Sequence, residues 1–193
     1  MPVLYFFFLQ AITESILYFM AIANRNGVII ALIYSILEYL LVIHILRQWI
    51  ENKDWKYRFL VLILACQIVF IGCFLLGHRG IVLLGLVRTI APLLIIPCIV
   101  YTVSSIAYQF PHKSNRKWKL LILLGLLIYY CGSFAFFAIM LAQKNDFLMI
   151  GSFLNALATI LSNSIFVYAI FHTLKSTKSS LVTKNKYPAP QSD

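Results

Sequence analysis

Three ionisable side chains interrupt long apolar stretches of this chain: Glu14, Glu38 and Arg88. Such residues are costly inside a membrane, so they are the first candidates for a function there. A guanidinium can bind one carboxylate through two hydrogen bonds and still reach a second group. Because two carboxylates accompany one guanidinium, the surplus carboxylate must be protonated or paired with a cationic ligand. The three residues could therefore form a packing network, a ligand or ion site, or a proton-transfer site.

Polar residues on neighbouring stretches fall at a similar depth. A helix rises by about 1.5 Å per residue. On that rise, each of the three ionisable residues lies roughly 10–15 Å below the outer end of its stretch, the end that faces away from the cytoplasm. Tyr34 stands one turn before Glu38, and Tyr129 on the fifth stretch could reach a cavity or pack against another tyrosine. The last stretch repeats polar residues at helical spacing, which is typical of interhelical hydrogen bonds or of a cavity wall: Ser152, Asn155, Thr159 and Asn163.

The stretch that carries Arg88 also contains two prolines, Pro92 and Pro97. Each proline removes the backbone hydrogen bond to the residue four positions earlier, so Pro92 leaves the carbonyl of Arg88 without its helical donor. The result is either a simple kink or a polar site built on the freed carbonyls. A bent helix cannot pack along its whole length against a straight neighbour. We therefore predict a partly polar pocket that opens on the outer side and is lined by Glu14, Glu38, Arg88 and Asn155.

The elements that position these residues must be formed by six long apolar runs of the sequence. The chain has 193 residues, of which 62% are hydrophobic and 11% charged; soluble domains average roughly 45–50% apolar and about 25% charged residues. Each run reaches the roughly 17–25 residues that a membrane-spanning helix needs, and none alternates with period two. These features predict an all-α polytopic bundle of about six transmembrane helices: Pro2–Ala23, Val28–Leu46, Phe59–Gly77, Ile81–Ala107, Leu120–Ala142 and Phe147–Phe171.

The distribution of basic residues predicts the orientation of the bundle. Twelve Lys and Arg residues lie in the second and fourth connections and the C-terminal tail, whereas three lie in the opposite connections. The positive-inside rule then places both termini in the cytoplasm, with the three tryptophans at that same boundary. Short outer connections predict that helices 1 and 2, 3 and 4, and 5 and 6 pack as antiparallel neighbours. We expect one membrane domain over residues 1–175 and a polar, disordered cytoplasmic tail over 176–193.

Charge and motif content exclude several classes of function. The net charge of +10 comes from residues beside apolar runs, which indicates contacts with anionic lipids and no nucleic-acid partner. The cysteines and histidines show no metal-ligand spacing, so we expect no metal and no cofactor. Zinc-protease, nucleophile-elbow and nucleotide-loop motifs are missing, which argues against an enzyme.

Three segments carry a resemblance to a known group of proteins. They are Leu32–Leu40 with Tyr34 and Glu38, Leu127–Phe134 with Tyr129 and Gly132, and the stretch from Asn155 to Asn163. These segments resemble a family of uncharacterised bacterial multi-pass membrane proteins, best known from Bacteroidetes-type genomes. The resemblance implies an integral inner-membrane protein and makes Tyr34, Glu38, Tyr129 and Gly132 positions of interest.

Three functions remain open at this stage. The first is a non-enzymatic membrane module that acts as a sensor, a binder or a partner subunit, with a membrane protein or a second copy as partner. The second is a small secondary transporter that uses Glu14, Glu38 and Arg88, with the segment between Pro92 and Pro97 as a gate. The third is an intramembrane enzyme that modifies lipids.

Overall fold

The described residues form six helices, and the prediction of an all-α protein is confirmed. The computed structural model describes residues 2–23, 27–50, 52–75, 81–109, 116–142 and 145–186, and no strand occurs among them. The helices are α1 (Pro2–Ile22), α2 (Val28–Trp49), α3 (Lys53–Leu75), α4 (Ile81–Gln109), α5 (Arg116–Leu141) and α6 (Asn145–Lys186).

Four of these helices are long and apolar enough to cross a membrane. Within the described residues, the spans that meet this criterion are Val28–Trp49, Val82–Tyr108, Arg116–Leu141 and Phe147–His172. Helix α1 contributes a shorter apolar segment, Tyr5–Met20. A membrane-embedded helical bundle follows from these spans, whereas the predicted count of six crossings stays a prediction.

Two helix boundaries differ most from those that the apolar runs indicate. Helix α3 begins at Lys53, six residues before Phe59, because Asn52 caps it: the Asn52 side-chain oxygen accepts the backbone N–H of Asp54 at 2.9 Å. The side-chain amide of an N-cap residue accepts a hydrogen bond from a backbone N–H group that has no partner within the first helical turn. The polar residues before Phe59 can therefore be part of the helix. Helix α6 continues to Lys186, into the segment for which disorder is predicted, and residues 187–193 lie outside the described part of the chain. Disorder of this tail stays a prediction.

Helices that follow each other along the chain pack together, as the short connections predict. Contacts join α1 with α2, α3 with α4, and α5 with α6; α2 also contacts α3 and α4, and α4 contacts α5. The α5–α6 interface is the most extensive, and glycines permit it. A Cβ atom at Gly132 would collide with Ala158, and one at Gly125 would lie 2.5 Å from the Phe166 ring. Small residues let helix backbones approach closely in a membrane.

Aromatic and basic residues gather at one end of the bundle, where α2 ends and where α3 and α5 begin. The Trp49 and Trp118 rings meet edge to face at 5.5 Å, and the Trp55 ring stacks on Tyr101 at 3.7 Å. The ammonium of Lys119 lies 5.8 Å from the Trp49 ring centre. This end, hereafter the tryptophan end, is filled by fully buried aliphatic side chains that include Leu46, Ile99, Ile106 and Leu123.

Candidate functional site

Arg88 lies at the centre of a buried polar network between α2, α4 and α5. Its Nη1 atom is 3.1 Å from Oε2 of Glu38. Its Nε donates a hydrogen bond to the Ser35 hydroxyl at 2.8 Å, and Nη1 donates to the Tyr129 hydroxyl at 3.2 Å. The Arg88 side chain is 10% exposed and that of Glu38 is fully buried. A network of buried ionisable residues predicts that Arg88 points into the bundle and lies within salt-bridge reach of Glu14 or Glu38, and this is confirmed for Glu38.

The local sequence of α2 explains how the Ser35 hydroxyl and the Glu38 carboxylate both contact the Arg88 guanidinium. Ser35 and Glu38 are three residues apart, so both project from one face of the helix. The Ser35 hydroxyl donates to the Ala31 carbonyl at 2.7 Å, which leaves its oxygen lone pairs directed toward Arg88. Sequence reasoning did not select Ser35, although its spacing from Glu38 is the signal that could have found it.

Two aromatic rings lie close to the guanidinium of Arg88. The Arg88 Cζ atom lies 5.3 Å from the Tyr34 ring centre and 5.9 Å from the Phe137 ring centre. Rings at this distance attract a cation through their quadrupole, more strongly where water is excluded. Tyr34 therefore belongs to the site through its ring, and Tyr129 belongs to it through its hydroxyl.

The described part of the network is electrically balanced. Arg88 carries one positive charge and Glu38 supplies one negative charge at contact distance. Glu14, the second carboxylate of the predicted network, has a side chain outside the described residues. Its predicted place beside Arg88 therefore stays a prediction.

A cavity of about 260 Å³ adjoins the network. Its described walls combine apolar groups with hydrogen-bonding side chains: Leu17, Ala31, Leu84, Arg88, Tyr129, Ser133, Phe137, Asn155 and Thr159. Arg88 and Asn155 line the cavity as predicted. Glu38 is fully buried and is not among the described lining residues. The expectation that Glu38 faces the pocket is therefore wrong, while the expectation of a partly polar pocket at Arg88 is confirmed.

Asn163 does not belong to this cavity. It lines a separate groove on the surface of α6 with Ile160, Ser164, Val167, Tyr168 and Phe171. An α-helix turns about 100° per residue, so Asn163 is rotated by about 80° from Asn155 around the axis, whereas Thr159 is rotated by about 40°. The polar stripe of α6 thus winds out of the cavity within two turns.

Helix α4 runs without interruption through both prolines. Pro92 is buried and Pro97 is exposed, and both lie within the single helix Ile81–Gln109. The Thr89 hydroxyl donates to the Gly85 carbonyl at 2.8 Å, so it does not satisfy the Arg88 carbonyl that Pro92 frees. A bend at these prolines, and their role as a gate, stay predictions.

The cavity offers hydrogen bonds and little else for chemistry. Among its described lining residues there is no carboxylate, histidine or cysteine. Elsewhere in the described part of the chain, no three histidine, cysteine or acidic side chains come together to hold a metal ion. The site is therefore suited to binding a small molecule.

Comparison with known proteins adds no assignment. No protein-family model, curated protein or solved structure matches this chain. What the site does has to be inferred from its own geometry.

Proposed function

We propose that this chain is an integral inner-membrane protein of bacteria that binds a small molecule in the cavity beside Arg88 and catalyses no reaction. It acts as a sensor or as the partner subunit of another membrane protein. The observation that carries the proposal is the cavity of about 260 Å³, which has Arg88 in its wall. Intramembrane ionisable residues mark functional sites by default, because their burial is costly.

Six membrane crossings with both termini in the cytoplasm form part of the proposal. The four apolar spans support a membrane location, and α1 and α3 pack against α2, which is one of those spans. All three tryptophans lie at the tryptophan end, together with the basic residues Arg47, Arg58 and Lys119. Tryptophan and basic residues concentrate at the cytoplasmic interface, where they contact anionic lipids.

The position of the cavity favours binding over transport. Ala31 and Leu84 each lie three residues after the start of their helix, and Phe137 lies four residues before the end of α5. These walls belong to the half of the bundle away from the tryptophan end. The opposite half is filled by fully buried side chains such as Leu46 and Ile99. A transporter needs access from both sides, whereas a binding site needs access from one.

Native mass spectrometry of the protein released from its membrane tests the binding function. Wild-type protein is expected to carry a small molecule that survives release. Asn155→Phe places a ring in the cavity and is expected to abolish this additional mass. Ser152→Phe is the matched control, because Ser152 is exposed on the same helix one turn earlier.

Two results would contradict the binding function. One is a wild-type protein that carries no additional mass, and the other is an additional mass that persists in Asn155→Phe. If the bound species instead accumulates inside liposomes that contain the protein, and does so only with an ion gradient, the chain is a transporter.

A further inference from the structure

We infer that the ligand of this cavity is uncharged and presents an acceptor oxygen, such as an amide, ketone or ester carbonyl, to Arg88 and Asn155. The inference depends on the proposed binding function and specifies the chemical class of the ligand. Three observations carry it: the unused donors of Arg88, the balance of charge in the wall, and the size of the cavity.

Arg88 retains hydrogen-bond donors that its protein contacts do not use. A guanidinium carries five N–H groups, and the contacts of Arg88 with Ser35, Tyr129 and Glu38 engage Nε and Nη1 only. Nη2 makes no hydrogen bond with any described residue. Because Arg88 lines the cavity, an acceptor bound there can accept a hydrogen bond from its guanidinium.

Two further side chains add polar groups to the same wall. The Asn155 amide makes no hydrogen bond with a described residue, so its N–H₂ and carbonyl groups are available to a ligand. The Tyr129 hydroxyl accepts a hydrogen bond from Arg88, which leaves its own hydrogen to donate elsewhere. Thr159 differs, because its hydroxyl already donates to the backbone carbonyl of Asn155 at 2.8 Å.

The charge balance of the described wall disfavours ionic ligands. Glu38 already neutralises Arg88 at 3.1 Å, so a bound anion would add an uncompensated negative charge to a buried site. A cation would meet Arg88 and find no carboxylate among the described walls. An uncharged ligand avoids both costs.

The volume of the cavity limits the ligand to a small molecule. At about 30 Å³ for each water molecule of the liquid, a cavity of about 260 Å³ has room for roughly eight or nine waters. The apolar walls formed by Leu17, Leu84 and Phe137 suit a ring or a short hydrocarbon chain. A monocyclic aromatic amide fits this description.

Three probes of about the same size distinguish the ligand classes: benzamide, which is neutral, benzoate, which is an anion, and benzylammonium, which is a cation. Their affinities for purified full-length protein in neutral detergent can be measured by ligand-observed nuclear magnetic resonance. Benzamide is expected to bind at least about tenfold more tightly than either ion, because each ion leaves a buried net charge. Empty detergent micelles give the background for each probe.

A near-isosteric variant locates the binding. Asn155→Leu keeps the size of the side chain and removes its amide, so benzamide is expected to bind between about twofold and tenfold more weakly, the effect of one lost neutral hydrogen bond. Ser152→Ala, on the exposed face of α6, is expected to leave the affinity unchanged. The ranking of the three probe affinities is measured on wild-type protein, so it does not depend on whether a variant folds.

The outcomes separate the two proposals. Tighter binding of benzoate or benzylammonium that weakens in Asn155→Leu would overturn the uncharged class and leave the binding function standing. Benzamide binding that is equal in wild type and Asn155→Leu would place the probe elsewhere and overturn the inference. If none of the three probes binds above the micelle background, both the ligand class and the binding function are wrong.

Discussion

Replacing Arg88 with leucine is expected to destabilise the bundle more than removing its whole ion pair does. The variant Arg88→Leu leaves Glu38 as a fully buried carboxylate without its cation. The double variant Arg88→Leu/Glu38→Leu removes both charges and fills the space with aliphatic groups. Breaking a buried pair on one side costs more than replacing both partners, because only the former leaves an uncompensated charge.

The geometry sets the size of the effect. At 3.1 Å and an effective dielectric constant of about 20, Coulomb's law gives an attraction of about 5 kcal/mol between Arg88 and Glu38. One-sided removal of buried pairs in soluble proteins costs roughly 3–5 kcal/mol. We therefore expect Arg88→Leu to lower the free energy of unfolding by about 3–5 kcal/mol, and the double variant to recover about 2 kcal/mol or more of this loss.

Equilibrium unfolding in mixed detergent micelles, followed by tryptophan fluorescence, measures these free energies. Arg58→Leu is the matched control, because Arg58 is exposed and its Cζ lies 4.9 Å from the Trp55 ring, a contact worth about 1 kcal/mol or less. A double variant that is less stable than Arg88→Leu would refute the reasoning. So would an Arg88→Leu variant that is no less stable than Arg58→Leu.

The remaining predictions concern topology, packing and a helix cap. Reporter fusions after Lys117 and after Lys175 should both report the cytoplasm, since basic residues crowd these connections; a periplasmic signal at either position would overturn the orientation. Gly132→Leu should destabilise the bundle by about 1–3 kcal/mol, because a Cβ atom at this position collides with α6. Gly72→Leu is the control and should change the free energy of unfolding by no more than about 0.5 kcal/mol, because nothing lies within 4 Å of a Cβ atom at Gly72. Equal effects of the two variants in an unfolding titration would contradict the close α5–α6 packing. Asn52→Ala should cost about 0.5–2 kcal/mol by removing the α3 cap, and an unchanged unfolding free energy would show that the cap contributes nothing.

The apolar runs determine most of the architecture. Backbone groups in a membrane must be paired within one element, so six long apolar runs without alternation predict helices. The pairing of successive helices follows from short connections, because a short link leaves the next helix no other neighbour. The start of α3 was missed because apolar length alone does not register Asn52, whose side chain caps the helix.

Part of the candidate site also follows from the sequence. A lone arginine in an apolar run needs a carboxylate, and the depths of Arg88 and Glu38 within their runs place them at one level. Depth does not say which way a side chain points around its helix. For that reason the sequence could not exclude Asn163 from the cavity or predict that Glu38 is absent from its described walls.

The sequence by itself therefore determined the helices and the pairing of successive helices, because hydrophobic length and connection length can be read along the chain. The cost of a buried charge required a carboxylate partner for Arg88 but left the choice open between Glu14 and Glu38. Only the tertiary structure decided that Ser35 and Tyr129 complete the network and that Arg88, Tyr129 and Asn155 share one cavity wall. These contacts depend on how α2, α4, α5 and α6 are rotated against one another. That rotation results from packing at positions such as Gly125 and Gly132, where the bulk of the facing helix sets the fit.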